Sequence, residues 1–543
     1  MTLEGHGGEL ALAPLRAAGV RELFTLSGGH IFPLLDAAVK TDVRIVDVRH
    51  EQTATFAAEG MAKLTRRPGV AALTAGPGVT NGMSALATAR FNGSPVVVLG
   101  GRAPQTRWGS GSLQEIDHVP FVAPLAKVAR TVGTTDDIAK EVAAATAEAL
   151  SPHRGPVFLD FPLDVLFASG RGEGDVPTPA TIEPDPDAVR ATAEVLARAA
   201  RPAIVAGSDV WSGGAEGALV RCADAARVPV FMNGMGRGCL PADHELAFNR
   251  TRALLKDEAD AIVVVGAPLD FRLRFGRYES ADVVHVVDAP EQRAAHADVA
   301  VTVVGDLAAV LDALAEGGRP RARADRSPWV ERLREAETAA RSADVDLLEE
   351  PGTPIHPARV YGEVVRRLDR DAVVVCDGGD FASYAGRFVD VRTAGSWLDT
   401  GPYGCLGSGP GHAIAARVAH PDRQVVLLLG DGAFGFAGMD FDTMVRHRLP
   451  VVAVVGNNGI WGLEKHPMQQ LYGYDIAADL QPGCRYDGVV RALGGGGELV
   501  EDPEDLGAAL DRAFEVSERD RVPYLVNVVT DPANAYPRTS NLG

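Results

Sequence analysis

The stretch VVLLLGDGAFGFAGMDFDTMVRHRLPVVAVVGNNGIWGL, from Val425 to Leu463, decides the fold of this chain. Val425 to Leu429 is wholly apolar and predicts a strand that is buried on both faces. Gly430-Asp431-Gly432 ends this strand, helical spacing follows from Phe436 to about His447, and Val451 to Val455 predicts a second buried strand. The crossover in such a strand–helix–strand unit is right-handed, so the two strand ends lie side by side.

Asp431 and Asn458 follow these two strands, and we expect them to meet at the carboxyl edge of a parallel sheet, where such folds bind ligands. A carboxylate, an amide oxygen and a free backbone carbonyl are hard donors that suit Mg²⁺. Magnesium held by so few protein groups completes its octahedron with ligand phosphates and water. The glycines let the backbone approach a diphosphate closely, and N–H groups at the turn can donate to it. A glycine turn in some other α/β protein is the alternative.

The motif GDG, 24 intervening residues and then NN resembles the diphosphate signature of the thiamine diphosphate enzymes. The resemblance implies that magnesium is held by Asp431, Asn458 and the backbone carbonyl of Ile460. It also implies that the diphosphate is lined by Gly432, Ala433 and Phe434.

Length and composition bound the class of protein. A chain of 543 residues is too long for one core and favours about three domains. It is 46% hydrophobic and 23% charged, with no apolar run that could span a bilayer and no signal peptide. The net charge of -19 argues against nucleic-acid binding. Five scattered cysteines fit a reduced compartment. We therefore expect a cytoplasmic protein with no membrane or nucleic-acid partner.

The order of elements predicts an α/β fold with three parallel-sheet domains. Besides the two strands above, the predicted strands are Phe24 to Ser27, Arg44 to Val48, Val70 to Thr74, Val96 to Leu99, Ala203 to Ala206, Val228 to Met232, Ile262 to Val265, Val283 to Val287 and Ala372 to Cys376. By resemblance, the domains are a pyrimidine-binding domain (1–170), a Rossmann-like middle domain (185–314), a charged linker (315–354), a diphosphate- and magnesium-binding domain (355–531) and a C-terminal tail expected to act as a lid (532–543).

Glu51 opens a predicted helix from about Gln52 to Leu64. The helix dipole favours a carboxylate there without any function. However, RHEQTATFAAEGMA resembles the thiamine-enzyme segment that carries a catalytic carboxylate. In that role Glu51 protonates the aminopyrimidine ring nitrogen, and the exocyclic amine can then take the thiazolium proton; such a carboxyl group should lie in a desolvated pocket. AGPGVTNG extends the resemblance, and Pro77 within it is expected to contact the cofactor.

Two further segments of the third domain resemble cofactor-binding segments. DGGDF follows the strand that ends at Cys376 and resembles a second diphosphate-contacting turn, which would use Gly379, Asp380 and Phe381. GPYGCLGSG, residues 401–409, resembles the segment under the bend of the cofactor and contains Gly404. In it Leu406 takes the place of a bulky residue that wedges the two cofactor rings into a V, and ordinary core packing is the alternative for Leu406.

The middle domain carries a group of arginines within an acidic chain. Arg272 and Arg274 follow the strand that ends at Val265, and Arg237 and Arg252 precede it. Arginine after a Rossmann-like strand is well placed to meet nucleotide phosphates; surface ion pairing is the alternative. Related enzymes use this domain for flavin or for the adenine nucleotide of coenzyme A, so ADP or CoA is expected here. Arg538 on the tail is a further expected phosphate partner.

The resemblance covers nearly the whole chain and is to the acetolactate synthase-like branch. SGGHIFPLLDAA, GMGRGCLP and DFRLRFGR are most similar to the 2-hydroxyacyl-CoA lyases. Flavin is not expected, because true acetolactate synthases differ in the flavin-contacting middle segment. The implied reaction cleaves a 2-hydroxyacyl-CoA into formyl-CoA and an aldehyde or ketone, reversibly, with the thiazolium as electron sink. The alternatives are a carboligase acting on free 2-oxo acids and a catalytically silent homologue.

Three polar residues are candidates to contact the reacting groups: His30, Gln114 and Glu464. His30 could instead cap the following helix, Gln114 could bond to the backbone, and Glu464 could pair with Lys465 or remain solvated. The resemblance further implies that one subunit holds the pyrimidine end of the cofactor and its partner the diphosphate end. We therefore expect a homodimer or a homotetramer.

Overall fold

The computed structural model describes residues 2–317 and 325–537. Within these ranges the strands form three six-stranded parallel sheets and one antiparallel pair, which confirms the predicted α/β fold with three parallel-sheet domains. Arg538, the rest of the predicted tail beyond Pro537, and residues 318–324 of the predicted linker lie outside the described residues. No helix in the described ranges combines the length and the apolar character that a membrane span requires.

The N-terminal sheet has the strand order β3-β2-β4-β5-β7-β6, and β1 pairs antiparallel with β8 outside it. The strands of the sheet are β2 (Glu22–Leu26), β3 (Arg44–Asp47), β4 (Gly69–Leu73), β5 (Val96–Arg102), β6 (Val128–Thr131) and β7 (Val157–Pro162), and the separate pair consists of β1 (Thr2–His6) and β8 (Ser169–Glu173). Its helices are α1 (Gly7–Ala17), α2 (Phe32–Lys40), α3 (Glu51–Thr65), α4 (Pro77–Asn81), α5 (Met83–Phe91), α6 (Val119–Val122), α7 (Ile138–Leu150) and α8 (Leu163–Phe167).

The middle sheet has the order β11-β10-β9-β12-β13-β14, which places the reversal of strand order between β9 and β12. Its strands are β9 (Pro202–Ala206), β10 (Val230–Met232), β11 (Ala247–Phe248), β12 (Ala261–Val265), β13 (Asp282–Val287) and β14 (Val301–Val304). The helices are α9 (Pro186–Arg198), α10 (Ser208–Ser212), α11 (Glu216–Ala226), α12 (Leu255–Glu258), α13 (Leu307–Gly317) and the connecting helix α14 (Ser327–Leu348).

The C-terminal sheet has the order β16-β15-β17-β18-β20-β19. Its strands are β15 (Val373–Cys376), β16 (Trp397–Leu398), β17 (Val425–Gly430), β18 (Val452–Asn457), β19 (Gly496–Val500) and β20 (Tyr524–Val529). Its helices are α15 (Pro357–Val365), α16 (Asp380–Ser383), α17 (Ala385–Phe388), α18 (Ser408–Ala419), α19 (Asp431–Ala437), α20 (Phe441–Arg446), α21 (Gly462–Tyr472), α22 (Tyr486–Ala492) and α23 (Leu506–Asp520). As predicted, β17 and β18 are neighbours and parallel, with Gly430 opposite Gly456.

The helix after β17 differs from the prediction of one helix from Phe436 to about His447. Helix α19 begins at Asp431 itself, directly after the extended residue Gly430, and a 3-10 turn over Gly438–Asp440 separates it from α20. Glycine has a low helix propensity, so the sequence DGAFGFAG hides this first helix from a propensity argument. The consequence is that Asp431 lies in the first turn of a helix, where the dipole favours a carboxylate.

The N-terminal and C-terminal domains meet where α3 packs against α18. The two helices approach closely through glycine: a Cβ added at Gly411 would lie 2.7 Å from the Cβ of Phe56. At their centre the fully buried Glu59 accepts hydrogen bonds from Asn92 at 2.7 Å and His412 at 3.0 Å, and it pairs with Lys63 at 3.0 Å. Burial alone would raise the pKa of Glu59, but Lys63 and His412 outweigh it and lower the pKa to about 2.

Replacing Glu59 by Ala should lower the free energy of unfolding by about 3–5 kcal/mol, because Lys63 is left buried without its carboxylate. The folded pKa of about 2 lies below the ordinary 4.5, so this stabilisation is present above pH 4.5 and is lost as the pH falls toward 2. Urea denaturation at several pH values measures both effects. The control is Glu4→Ala, which breaks an exposed pair with Arg171 and should change stability by less than about 0.5 kcal/mol. Equal effects of the two substitutions would contradict the structural role of Glu59.

Candidate active site

A cavity of about 470 Å³ lies at the carboxyl edge of the C-terminal sheet. The segments that follow β15, β17 and β18 form most of its wall, because the carboxyl ends of these parallel strands meet at one edge. The predicted site residues that line it are Arg237, Arg272, Gly379, Asp380, Gly404, Leu406, Asp431, Gly432, Ala433, Ile460 and Glu464. The prediction thus placed most of its cofactor residues around a single cavity.

Asp431 is buried and accepts hydrogen bonds from the backbone of two turns. Its Oδ1 accepts the N–H of Gly432 at 2.8 Å and its Oδ2 accepts the N–H of Gly459 at 2.7 Å. Burial raises the pKa of Asp431 to about 6 despite these hydrogen bonds, and the nearby Asp380 carboxylate raises it further. Burial and the second carboxylate thus disfavour the charged form of Asp431, which a bound cation would stabilise.

The side chain of Asn458 connects its own turn to the turn of Asp380. Its Nδ2 donates to Asp380 Oδ2 at 2.9 Å, while its Oδ1 accepts the N–H of Ile460 at 3.2 Å. The pKa of Asp380 is likewise raised, chiefly by burial. Two buried carboxylates, an amide oxygen and adjacent backbone carbonyls are the oxygen donors that Mg²⁺ prefers, so the residues present fit a magnesium ion with a diphosphate.

Leu406 extends into the cavity over a glycine. A Cβ built at Gly378 would lie 2.2 Å from Leu406 Cδ2, so a larger residue there would displace the Leu406 side chain. Leu406 is partly buried and packs on the edge of the core while lining the cavity, which agrees with the core packing named as the alternative. Its role as a wedge under the cofactor stays a prediction.

Phe381 and Phe434 do not line the cavity, unlike the other residues predicted in their turns. The Phe381 ring packs against Tyr361 with centroids 5.1 Å apart, and the Phe434 ring packs against Tyr486 at 4.9 Å. Both side chains are in the core, since large aromatic groups are placed where they bury the most area. Any contact of these two residues with a diphosphate would have to be through the backbone.

The predicted residues of the N-terminal domain gather at the carboxyl edge of their own sheet. Glu51 is buried at the start of α3, and its Oε2 accepts a hydrogen bond from Asn81 Nδ2 at 3.0 Å. His30 Nδ1 lies 3.3 Å from Thr74 Oγ1, and burial lowers the pKa of His30. His30 therefore bonds to Thr74 and does not cap α2, whose N-cap makes no side-chain hydrogen bond.

The turn that carries Pro77 is held by a buried histidine. His118 Nε2 accepts the N–H of Gly76 at 2.9 Å, and His118 Nδ1 donates to Asp160 Oδ2 at 2.9 Å. Gln114 has a positive φ of 59° and lies directly against Gly76. The structure thus brings together His30, Glu51, Pro77 and Gln114, but at a different edge from Asp431.

The two sets of predicted residues do not share a cavity within one chain. Among the described residues, those that line the 470 Å³ cavity come from positions 233–464, which excludes the whole N-terminal sheet. The first turn of α3 does reach the Leu406 loop, through a 3.3 Å hydrogen bond from Gln52 Nε2 to the Leu406 carbonyl. Glu51 itself points to Asn81 on its own domain.

A second cavity, of about 770 Å³, lies at the carboxyl edge of the middle sheet and is closed on its other side by the N-terminal domain. It shares the lining residues Asn233, Gly234 and Arg272 with the first cavity, so the two cavities are neighbours, and together they are called the cleft below. Its other basic lining residues are Arg90 and Lys127. The pKa of Lys127 is lowered, mainly by burial.

The structure separates the predicted phosphate-binding arginines. Arg272 lies at the junction of the two cavities and makes a bidentate pair with Asp270, at 2.7–3.1 Å. Arg274 is exposed, has a φ of 56° and lines neither cavity. The two arginines therefore differ in position, because the chain turns after Leu273 through the left-handed residues Arg274 and Phe275, and their binding of phosphate stays a prediction.

The two upstream arginines are also placed differently from the prediction. Arg252 is half-buried, donates to the side chain of Asn233 and to the Arg272 carbonyl, and lines neither cavity. Arg237 is half-buried over the ring of Trp397, with its guanidinium carbon 4.8 Å from the ring centroid, and lines only the smaller cavity. Arg252 thus holds residues of the cavity walls in place, whereas Arg237 forms part of one wall.

The sequence did not predict Asp377, Asn81 and His118, which hold other residues of the two sheet edges in place by hydrogen bonds. Asp377 is buried and accepts the N–H groups of Gly378 at 2.7 Å, Gly407 at 3.0 Å and Gly409 at 2.9 Å, and burial raises its pKa to about 6. It thereby fixes the Leu406 loop to the end of β15. For Asp377, the available sequence signal was an acidic residue at the end of an apolar strand. For Asn81, which bonds to Glu51, and His118, which bonds to Gly76, the only signal was their position in loops that follow strands.

Comparison with known families finds one matching family model for each of the three sheet domains. Residues 5–121 match a model described as thiamine pyrophosphate enzyme, N-terminal TPP binding domain. Residues 189–314 match the central domain of the same enzymes, and residues 377–528 match their C-terminal TPP binding domain. The three matches follow the order of the three sheets along the chain.

Full-length relatives fall into two groups by name. The chain is 54% identical over 543 residues to an acetolactate synthase large subunit from Mycobacterium tuberculosis, covering 99% of this chain and 98% of that protein. It is 35% identical over 573 residues to 2-hydroxyacyl-CoA lyase 2 from Homo sapiens, covering 96% and 90%. The lyase of the same name from Caenorhabditis elegans is 34% identical, covering 96% and 89%.

The geometry of the Leu406 loop yields a stability prediction. Asp377→Asn should lower the free energy of unfolding by about 1–3 kcal/mol, because an amide group replaces one of the two acceptor oxygens that hold three buried N–H groups. Urea denaturation measures this, and hydrogen exchange at Gly407 and Gly409 should speed up as well. Asp371→Asn is the matched control, since Asp371 is 55% exposed and pairs with Arg423. Unchanged exchange at both glycines would contradict the role of Asp377.

Proposed function

Because this chain belongs to the thiamine pyrophosphate enzymes, we propose that it is a thiamine diphosphate- and magnesium-dependent 2-hydroxyacyl-CoA lyase. It cleaves the bond between the first two carbons of a 2-hydroxyacyl-CoA, gives formyl-CoA and an aldehyde or ketone, and catalyses the reverse reaction. The cysteine usage supports a cytoplasmic location. Lyases of this name are among the relatives at 34–35% identity.

The observation that carries the proposal is the pair of neighbouring cavities. A CoA thioester has a reacting acyl end and a distant nucleotide end, and the 470 Å³ and 770 Å³ cavities have Asn233, Gly234 and Arg272 in common. The larger one falls within the range of about 300–1,000 Å³ that suits a sizeable small molecule. We therefore assign the acyl group to the smaller cavity and the nucleotide to the larger one, without flavin.

Asp431, Asn458 and the Ile460 carbonyl would hold magnesium, which supports the diphosphate of the cofactor. Gly379, Gly432 and the adjacent backbone would line the diphosphate, and Leu406 would support the bend. When bound, thiamine diphosphate supplies a carbon nucleophile and an electron sink. The chain itself holds the proton at Glu51, whose Oε2 is oriented by Asn81. Glu464 is assigned to the 2-hydroxyl proton, and His30 and Gln114 to the reacting groups.

The assembly follows from the separation of the two edges. Glu51 and Asp431 must contact one cofactor molecule, yet the described residues of the N-terminal sheet do not line the Asp431 cavity. We infer that the N-terminal edge of a partner subunit closes the cavity, so that the protein is at least a homodimer with two equivalent sites. A homotetramer would be a pair of such dimers.

A second function is supported by the relative at 54% identity, which is named acetolactate synthase. Such an enzyme would join free 2-oxo acids and would need the cleft for the carboxylate of its substrate. Arg272 at the junction of the cavities is a cation that can bind either a phosphate or a carboxylate. The two proposals therefore differ in which anion reaches Arg272.

The deciding experiment supplies the holoenzyme with a panel of 2-hydroxyacyl-CoAs and, separately, with pyruvate. Formation of formyl-CoA from the thioesters, with no acetolactate from pyruvate, is the expected result. Acetolactate formation without coenzyme A would replace the lyase by the carboligase. Failure to bind thiamine diphosphate in the presence of magnesium would instead indicate a catalytically silent homologue.

The proposed roles of Asp431 and Glu51 predict different effects on cofactor binding and on turnover. Asp431→Ala should abolish magnesium-dependent binding of thiamine diphosphate, because it removes a metal ligand. Glu51→Gln should leave binding within a few-fold but lower turnover by at least about a thousandfold, that is about 4 kcal/mol of barrier. Calorimetric titration with the cofactor and a steady-state assay separate the two effects. Near wild-type turnover of Glu51→Gln would refute its proton-transfer role.

Arg272 and Arg274 form a matched pair for testing the nucleotide position. Arg272→Ala should raise the KM for a CoA thioester about tenfold, equivalent to ~1.4 kcal/mol, with less than a twofold change in kcat, because phosphates are bound alike in the ground and transition states. The effect should shrink at high salt. Arg274→Ala should leave both constants within about twofold. Equal effects of the two substitutions would mean that the nucleotide does not occupy the cleft at Arg272.

A further inference from the structure

A cluster of one histidine and two aspartates lies in the wall of the 770 Å³ cavity, apart from the magnesium site proposed above. His153 belongs to the N-terminal domain, in the loop between α7 and β7. Asp209 lies in the first turn of α10 and Asp288 directly after β13, both in the middle domain. The cluster therefore spans the boundary between two domains, with His153 and Asp209 facing the cavity.

The three side chains direct their donor atoms at one point. His153 Nδ1 is 3.0 Å from Asp288 Oδ1 and 3.7 Å from Asp209 Oδ2, and one donor atom from each residue lies within 4.8 Å of the others. Bonds of about 2.1 Å to a tetrahedral metal ion place its ligand atoms about 3.4 Å apart. The two distances from the imidazole bracket this separation, so only small side-chain shifts are needed to enclose an ion.

Glycine packing sets the orientation of the imidazole. A Cβ added at Gly93 would lie 2.6 Å from His153 Nε2, and Gly93 has a φ of 63°. The Nε2 edge of the ring therefore lies over the bare backbone of Gly93, and Nδ1 is turned toward the carboxylates. This is the arrangement that a histidine ligand needs, with one nitrogen directed at the metal and the other against the protein.

The burial of the cluster also suits a bound cation. Asp209 is only 8% exposed, and its carboxylate makes no hydrogen bond among those described for residues 2–317 and 325–537. Within the cluster itself, a divalent ion with a neutral imidazole would balance the charges of the two carboxylates.

We propose that His153, Asp209 and Asp288 form a binding site for a first-row divalent metal ion such as Zn²⁺ or Co²⁺, which joins the N-terminal domain to the middle domain. A mixed set of one imidazole and two carboxylates favours these ions over Mg²⁺, which prefers oxygen ligands alone. The fourth coordination position faces the cavity and is open to water or to an anionic group of a ligand. The site does not depend on whether the enzyme is a lyase or a carboligase.

The test uses the full-length protein saturated with thiamine diphosphate and millimolar Mg²⁺, so that the cofactor site is filled before micromolar Co²⁺ is added. Equilibrium dialysis with elemental analysis measures cobalt bound per chain. One equivalent is expected for the wild type. Because Asp431→Ala removes the proposed magnesium ligand but not this cluster, it should also bind one equivalent.

Variants of the cluster identify the ligands. His153→Ala and the nearly isosteric Asp209→Asn should each bind Co²⁺ at least tenfold more weakly than the wild type. His244→Ala is the control, because His244 is not part of the cluster: it pairs with Asp224 at 3.2 Å and accepts the N–H of Leu246 at 3.1 Å, so cobalt binding should be unchanged. Circular dichroism checks that each variant is folded. The amount of cobalt bound by Asp431→Ala is an independent test, because that variant leaves the cluster unchanged. The proposal is overturned if Asp431→Ala binds no cobalt, or if a folded cluster variant binds it as tightly as the wild type.

Discussion

The contact on which the arrangement depends is the packing of α3 against α18 around the buried Glu59. This carboxylate bonds to Lys63 on its own helix and to His412 on the other, inside a core from which water is excluded. Breaking such a network leaves buried charge without a partner, so the two helices cannot slide apart at low cost. Glu51 begins the same helix, and its position relative to the C-terminal sheet is therefore held as well.

The proposed cofactor residues lie at two sheet edges of one chain that do not share a cavity. The C-terminal edge collects acidic and backbone donors around Asp431, with pKa values raised by burial, and it suits a cation with a diphosphate. The N-terminal edge presents Glu51 and His30 but does not reach that cavity among the described residues. The middle sheet adds a larger cavity that adjoins the first at Arg272. Under the proposed function, a second subunit brings the two edges together.

Much of the fold could be predicted from the sequence, because fully buried parallel strands are continuous apolar runs whose ends carry turn residues. Asp431 and Glu51 follow from such strand ends and from the family motif. What failed has physical causes: glycines in DGAFGFAG obscured α19, and the left-handed turn after Leu273 sends Arg274 to the surface, away from Arg272. Asp377 was missed as a site residue because its work is to hold backbone N–H groups that are distant in sequence.

The central claim, that each active site joins Glu51 of one subunit to Asp431 of another, can be tested by mixing two inactive variants. Glu51→Gln and Asp431→Ala subunits, co-expressed with different tags, should form mixed dimers that contain one intact and one doubly altered site. Random pairing then predicts recovery of about a quarter of wild-type activity. If tandem purification proves that mixed dimers form and they remain inactive, each site must be completed within a single chain, and the account is wrong.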